Sequence, residues 1–183
     1  MVIPTRGDRP GPLREAVEAV LAQRWPVSVV VVADRAPVRE VAGQVPGVRV
    51  VGNDRTPGLP GARNTGIAAC DTDLVAFCDD DDVWLPGKLA AQVRALGDGA
   101  WFAGCGIEVE HGGRRIARLA GASEVTAADL LRSRMVMVHS STFLFVRGSV
   151  WADESAPAGQ NEDWDLALRA AKRRPLAYVD RPL

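Results

Sequence analysis

Four consecutive carboxylates, Asp79-Asp80-Asp81-Asp82, follow the apolar run Leu74 to Cys78 and precede Val83-Trp84. Adjacent carboxylates repel one another, and a divalent cation is the usual offset. A site of hard oxygen ligands suits Mg²⁺ or Mn²⁺. Asp79 and Asp81 alternate in an extended segment and can share a face, whereas Asp80 and Asp82 point elsewhere. The competing reading is a solvated acidic turn in which Asp82 or a neighbour caps the next helix. Placement at the end of an apolar strand favours the ligand site, because open parallel sheets bind ligands beyond the carboxyl ends of their strands.

Two further groups could join it. Thr5 and Arg6 follow the strand-like Val2-Ile3, and Asp34 ends the β-branched run Val27 to Ala33. On a parallel sheet all three fall on the same edge as the aspartates. Asp34 can accept from a nucleobase N–H or a ribose hydroxyl, and Thr5 and Arg6 can meet a base or a phosphate. Taken alone, Asp34 reads equally well as a turn residue. The third group is Gln160-Asn161-Glu162-Asp163-Trp164-Asp165. Carboxylates in a helix's first turn are stabilised by its dipole, which accounts for Glu162 and Asp165. A catalytic base needs in addition a carboxylate aimed into a cleft, within reach of a hydroxyl.

Strand and helix patterns alternate along the chain that must position these groups. Leu13, Ala16, Val17, Val20 and Leu21 form the apolar stripe of a helix. Val27 to Ala33 suits a strand buried on both faces. Val38 to Val45, Ala62 to Cys70 and Pro86 to Leu96 read as helices, with Val48 to Val51 and Leu74 to Cys78 as strands. Trp101 to Glu110 and Arg114 to Leu119 flank Gly112-Gly113 as a hairpin. Thr126 caps a helix to Arg132, with Asp129 three residues on. Thr142 to Val146 and Leu176 to Val179 are strands, and Asn161 caps a helix running to about Arg174. The order predicts an α/β fold with a mainly parallel central sheet and a small antiparallel hairpin. Residues 1–183 read as a single domain, and the abrupt ends fit a naturally short chain or one truncated at its C-terminus.

Composition narrows the function. Lys plus Arg count 22 and Asp plus Glu 23, a formal net charge of -1. That balance argues against nucleic acid as a partner, so an anionic ligand must be met by a local site. Cys70, Cys78 and Cys105 fit neither a disulfide framework nor a zinc site. No run approaches the roughly 20 apolar residues of a transmembrane segment, and no signal-peptide pattern opens the chain. A cytoplasmic location is expected, with room for peripheral work at the inner membrane face.

Taken together, five segments resemble the family-two glycosyltransferases of the GT-A fold. They are Val2-Ile3-Pro4-Thr5-Arg6, Val31-Val32-Ala33-Asp34, Gly61-Ala62-Arg63-Asn64-Thr65-Gly66-Ile67-Ala68, Phe77-Cys78-Asp79-Asp80-Asp81-Asp82-Val83-Trp84-Leu85-Pro86-Gly87-Lys88-Leu89 and Glu162-Asp163-Trp164-Asp165-Leu166. The resemblance implies a Rossmann-like three-layer sandwich and inverting transfer from a UDP-, dTDP- or GDP-linked sugar to an acceptor hydroxyl. The acceptor would be a glycan, a lipid-linked molecule or a small molecule. It also implies roles. Asp34 would contact the base with Thr5 and Arg6 nearby, and Arg63 and Asn64 would shape the nucleotide pocket. For Arg63, pairing with an acidic neighbour is an equal alternative. Asp79 to Asp81 would form the DXD-type motif, Asp81 the direct Mn²⁺ or Mg²⁺ ligand, with Asp79 or Asp80 near ribose and sugar. Asp163 would be the base, Asp82 structural, and His139 on the acceptor side. Arg35-Ala36 departs from the family's usual Gly-Ser pair, and the family often continues beyond this C-terminus. Rival readings are a catalytically silent GT-A-like domain that binds nucleotide or partner proteins, and a metal-dependent nucleotidyltransferase. The second is disfavoured by the single glycine in the loop after the first strand.

Overall fold

The computed structural model describes residues 1–97, 99–155 and 161–183. β1 (Val2–Thr5), β2 (Val30–Ala33) and β3 (Arg49–Gly52) form a parallel sheet in that order. A second sheet runs β4 (Leu74–Ala76), β8 (Leu144–Val146), β5 (Phe102–His111), β9 (Leu176–Pro182), β7 (Glu124–Val125). A parallel bridge between Val2 and Phe77, and a bond from the Cys78 N–H to the Val2 carbonyl at 3.1 Å, join the two sheets. Pairing in the second sheet is mixed. β5 and β9 are parallel, β8 lies antiparallel to both β4 and β5, and β7 is antiparallel to β9. β5 continues into a hairpin with β6 (Arg114–Arg118), and Gly112 and Gly113 turn it with φ of 58° and 74°. Both lie in the left-handed region that a two-residue hairpin turn requires.

Helices cover both faces of the joined sheet. Val2, Val30, Val32 and Phe77 pack towards Ala62 and Ile67 of α3 (Leu59–Ala69) and Leu166 and Ala170 of α6 (Glu162–Arg173). Ile3, Val31 and Ala33 pack the other way, towards Leu13, Val17 and Val20 of α1 (Pro10–Leu21), Val41 of α2 (Val38–Gln44) and Leu89 of α4 (Lys88–Leu96). The period-2 alternation of the strands therefore feeds two cores, which explains why β1 and β2 are buried at every position. The three-layer α/β arrangement expected from the sequence is the one found.

Local details sharpen the reading. Leu21, placed on the buried stripe of α1 by its spacing, is 52% exposed because it is the helix's last residue. Thr126 and Asp129 form the reciprocal capping box at α5 (Ala127–Arg132). Asn161, expected to cap α6, sits at the N-cap position in a left-handed conformation and makes no side-chain cap bond. Gln160 lies outside the described residues. Acidic Glu162, Asp163 and Asp165 open α6 and basic Lys172 and Arg173 close it, as the helix dipole favours. β7, two residues long, is a strand that the sequence pattern did not announce. The three cysteines are free and buried. No described helix is long and apolar enough to cross a membrane.

α3 packs unusually close to β1. Seven consecutive residues, Gly61 to Ile67, are buried, and a Cβ at Gly66 would stand 2.1 Å from Val2 Cγ1. Glycine is required there for proximity, since Gly66 is not among the positive-φ residues. Gly66→Ala is expected to destabilise the fold by at least about 1 to 3 kcal/mol through overpacking. Urea unfolding should show this as a lowered midpoint at unchanged slope; an unshifted midpoint would contradict the close approach.

Candidate active site

The carboxyl ends of three parallel segments meet on one edge. The Asp34 N–H donates to the Thr5 carbonyl at 2.8 Å, fixing the ends of β1 and β2 side by side. Phe77 beside Val2 brings the chain after β4 to the same edge. The aspartates do not continue as an extended strand there. The Asp82 N–H donates to the Asp79 carbonyl at 3.2 Å, closing a turn with Asp80 and Asp81 at its tip. Alternation placed Asp79 with Asp81; the turn instead brings Asp79 and Asp82 together. These two and His139 each offer a ligand atom within 4.8 Å of the others.

Two arginines hold the turn. Arg63, from the centre of α3, is 2% exposed. Its Nη2 donates to Asp79 Oδ1 at 2.9 Å and to Ser140 Oγ at 2.8 Å, and its Nη1 donates to Glu162 Oε1 at 2.9 Å. Ser140 Oγ donates to Asp79 Oδ2 at 2.8 Å, and the Asp79 N–H donates to Ser141 Oγ at 2.8 Å. Arg63 thus pairs with acidic neighbours and joins α3, the acidic turn and the first turn of α6. Arg9, just before α1, donates Nη2 to Asp80 and Nη1 to Asp81, and the Thr5 hydroxyl also donates to Asp80.

The carboxyl pKa values follow from these contacts. Burial pushes the Asp79 carboxyl upward, but the Arg63 charge and the bonds from Arg63 and Ser140 outweigh it, and the pKa falls below its ordinary value. For Asp80, burial wins over Thr5 and Arg9, with help from the Asp81 and Asp79 charges, and the pKa rises. Asp82 is likewise raised by burial, against a bond from Ser141 and the His139 charge. Carboxyls whose ionisation is disfavoured by burial and by one another are groups that a bound cation stabilises in the charged form. With two carboxylates and an imidazole converging, the residues fit a divalent cation such as Mn²⁺.

Two clefts adjoin the turn. One, of about 490 Å³, is lined by Thr5, Arg6, Arg9, Asp34, Arg35, residues 56–61, Asp80 and Glu154. The other, of about 480 Å³, is lined by Asp81, Asp82, Trp84, His139, Ser141 and the β5–β6 hairpin, among others. Asp34 is buried in the wall of the first. Its Oδ1 accepts from Asn53 Nδ2 at 2.7 Å and the Gly58 N–H at 3.1 Å, so it holds the loop as well as facing the cleft. Arg35 has φ of 56°, a left-handed backbone that glycine adopts freely and other residues at a cost of roughly 1 kcal/mol or more.

The sequence-picked residues divide. Thr5, Arg6, Asp34 and Asp80 share the first cleft, and Asp81 lies in the second with Asp82 and His139. Asn64 faces neither. Its amide exchanges bonds with the Ala152 backbone at 2.9 and 3.0 Å and donates to Glu154 Oε1 at 2.7 Å. It acts on the cleft through Glu154, whose Oε2 accepts from the Thr56 N–H at 3.1 Å. Asp163 accepts from Arg134 Nη2 at 3.3 and 3.4 Å and from the Trp164 N–H at 2.7 Å. It stands next to Glu162 and so one residue from the Arg63 bridge. Arg9 and Glu154 were missed by motif reading. Arg9 could have been found as a cation on the same sheet edge as four carboxylates; Glu154 carries no local signal.

The bridge makes two linked predictions. Arg63→Met should cost about 3 to 5 kcal/mol by leaving Asp79 and Glu162 without their counter-ion, read by denaturant unfolding. The folded-state pKa of Asp79 lies below the ordinary 3.8. The stability it contributes is therefore present above that value and is lost as pH falls through the folded pKa. The stability gap between wild type and Asp79→Asn should shrink as pH drops below the usual carboxylate range, whereas a constant gap would contradict the pairing.

Comparison with known proteins agrees with this architecture. The solved structure of Staphylococcus aureus TarS residues 1–349 in complex with UDP superposes with TM-score 0.72 at 18% identity, over 98% of this chain and 56% of that one. The mannosyltransferase PcManGT of Pyrobaculum calidifontis, solved with GDP-Man and Mn²⁺, gives TM-score 0.68 at 20% identity, over 99% of this chain and 53% of that one. The fold is therefore the GT-A fold. Among curated proteins, the succinoglycan biosynthesis protein ExoW of Rhizobium meliloti (strain 1021) is 37% identical over 105 residues, 52% of this chain and 33% of its own length. The uncharacterized glycosyltransferase YwdF of Bacillus subtilis (strain 168) is 27% identical over 172 residues, 87% of this chain and 63% of its own. The chain thus spans between about a third and two thirds of the length of these curated relatives. Residues 1–151 match the profile of Glycosyl transferase family 2, and the chain belongs to that family.

Proposed function

We propose that the protein transfers a sugar from a nucleoside-diphosphate donor to an acceptor hydroxyl, with inversion and with the help of Mn²⁺ or Mg²⁺. One observation carries the reading: a turn of four carboxylates stands between two clefts, with Asp80 facing one and Asp81 and Asp82 the other. The nucleoside fits the cleft walled by Thr5, Arg6 and Asp34, where Asp34 Oδ2, which faces only Arg35 Nε at 3.9 Å among the described residues, can accept from base or ribose. The acceptor fits the cleft beside His139 and the hairpin. Support for a UDP- or GDP-linked donor comes from relatives of this fold solved with UDP, UDP-GlcNAc and GDP-Man. The acceptor class stays as broad as a glycan, a lipid-linked molecule or a small molecule.

Asp79, Asp82 and His139, whose ligand atoms converge, would hold the cation together with Asp81 at the tip of the turn, and Arg63 keeps Asp79 ionised. When bound, it supplies charge that offsets the negative charge building on the departing diphosphate. Asp163 takes the proton from the acceptor hydroxyl as that oxygen attacks the anomeric carbon opposite the leaving group. One displacement inverts the configuration. The bond from the Trp164 N–H and the contacts from Arg134 orient the Asp163 carboxylate at the start of α6. The Glu162–Arg63–Asp79 bridge ties that helix start to the acidic turn.

Asp163→Asn should keep donor binding and lose transfer by about 10² to 10⁴; transfer near the wild-type rate would remove Asp163 from the base role. Asp81→Ala should weaken nucleoside-diphosphate binding in Mn²⁺. Calorimetry giving equal Mn²⁺-dependent affinity for both proteins would dismiss Asp81 as a ligand.

A further inference from the structure

The two arginines at the acidic turn differ in how firmly they are held. Arg63 is buried on all sides and has three partners. Arg9 is not: its side chain is 47% exposed, and that of its partner Asp81 is 49% exposed. Its other partner, Asp80, has a side chain only 3% exposed, and Thr5 holds that carboxylate independently. Releasing Arg9 therefore leaves Asp80 with a donor and returns Asp81 to water. Exposed ion pairs of this kind are weak and easily exchanged.

Arg9 also stands in two places that matter. Its guanidinium spans Asp80, which faces the first cleft, and Asp81, which faces the second. A divalent cation at Asp81 would face a guanidinium on the same carboxylate, and like charges in contact repel. The arginine must then leave Asp81. The cleft that its own side chain lines has the polar Thr5 and Arg6 and, on the functional reading above, receives a diphosphate. A guanidinium suits that anion well, because its fork matches phosphate oxygens in a bidentate manner.

We propose that Arg9 is an exchangeable counter-ion: it holds Asp80 and Asp81 in the free protein, yields Asp81 to a divalent cation, and turns to the donor diphosphate. This rests on the donor reading above and adds a coupling to it. Cation and nucleotide each favour the released arginine, so each strengthens the binding of the other, reciprocally. In this scheme Arg9 meets the donor through its diphosphate and touches neither the sugar nor the acceptor.

The test uses the whole chain and two probes, Mn²⁺ alone and UDP or GDP with saturating Mn²⁺. Arg9→Met keeps the aliphatic stem and removes the charge. It should bind Mn²⁺ alone about 5-fold more tightly than wild type, by electron paramagnetic resonance of free Mn²⁺, because the competitor is gone. It should bind the nucleotide at saturating Mn²⁺ at least about 10-fold more weakly. Arg9→Lys, charged but unable to span two carboxylates, should fall between in Mn²⁺ affinity. A residue with a merely structural role would weaken both. Equal or weaker Mn²⁺ binding by Arg9→Met overturns the counter-ion role while leaving the donor reading intact. Tighter Mn²⁺ with unchanged nucleotide affinity overturns the transfer of the guanidinium to phosphate. Wild-type protein that binds neither probe overturns the donor reading and this inference together.

Discussion

Four charged carboxylates in sequence are held against their own repulsion, and the rest of the site depends on how that is done. Two unit charges about 4 Å apart near a protein surface repel by roughly 4 kcal/mol. The protein meets this with one fixed cation and one exposed cation. Arg63 is built into α3 and shared by Asp79 and Glu162. Arg9 reaches in from the loop before α1 to Asp80 and Asp81. The turn from Asp79 to Asp82 divides the carboxylates between the two, and sets Asp82 towards His139.

Positioning Arg63 explains much of the fold. A guanidinium reaches the turn from the middle of a helix only if that helix lies close against the sheet. Gly66 permits this by lying against Val2, and Gly61 lets the preceding loop fold onto the helix start beneath the Thr56 carbonyl. The same close approach places Asn64 where it grips the Ala152–Glu154 segment, and Glu154 then grips Thr56 in the wall of the first cleft. One helix thus fixes the carboxylates at its sheet-facing side and the nucleotide-sized cleft at its start. The first turn of α6 is drawn in through Glu162, the neighbour of Asp163 in the chain.

Much of this was legible in the sequence because it depends on short-range pattern. The β-branched runs, the stripe of α1, the Gly-Gly hairpin and the Thr126–Asp129 box each follow from local geometry, and the shared sheet edge follows from parallel order. What was hidden depends on tertiary contact. Alternation along Asp79 to Asp82 failed because a turn, not a strand, carries them, so Asp82 joins the cluster and Asp81 turns to Arg9. Asn161 failed as a cap because its backbone is left-handed. Glu154 and the short β7 have partners far away in sequence and nothing nearby to mark them. Arg63 was readable only as an alternative, since its two carboxylate partners lie 16 and 99 residues away.

On the function proposed above, the acidic turn is a cation–diphosphate site between a donor cleft and an acceptor cleft. A crystal of the protein grown with MnCl₂ and UDP or GDP, measured at the manganese absorption edge, tests it most directly. An anomalous peak is expected at the Asp79–Asp82 turn within coordination distance of Asp81 or Asp82, with the diphosphate beside it and the nucleoside against Asp34. Nucleotide bound elsewhere, or bound in that cleft with no manganese at the turn, would contradict it.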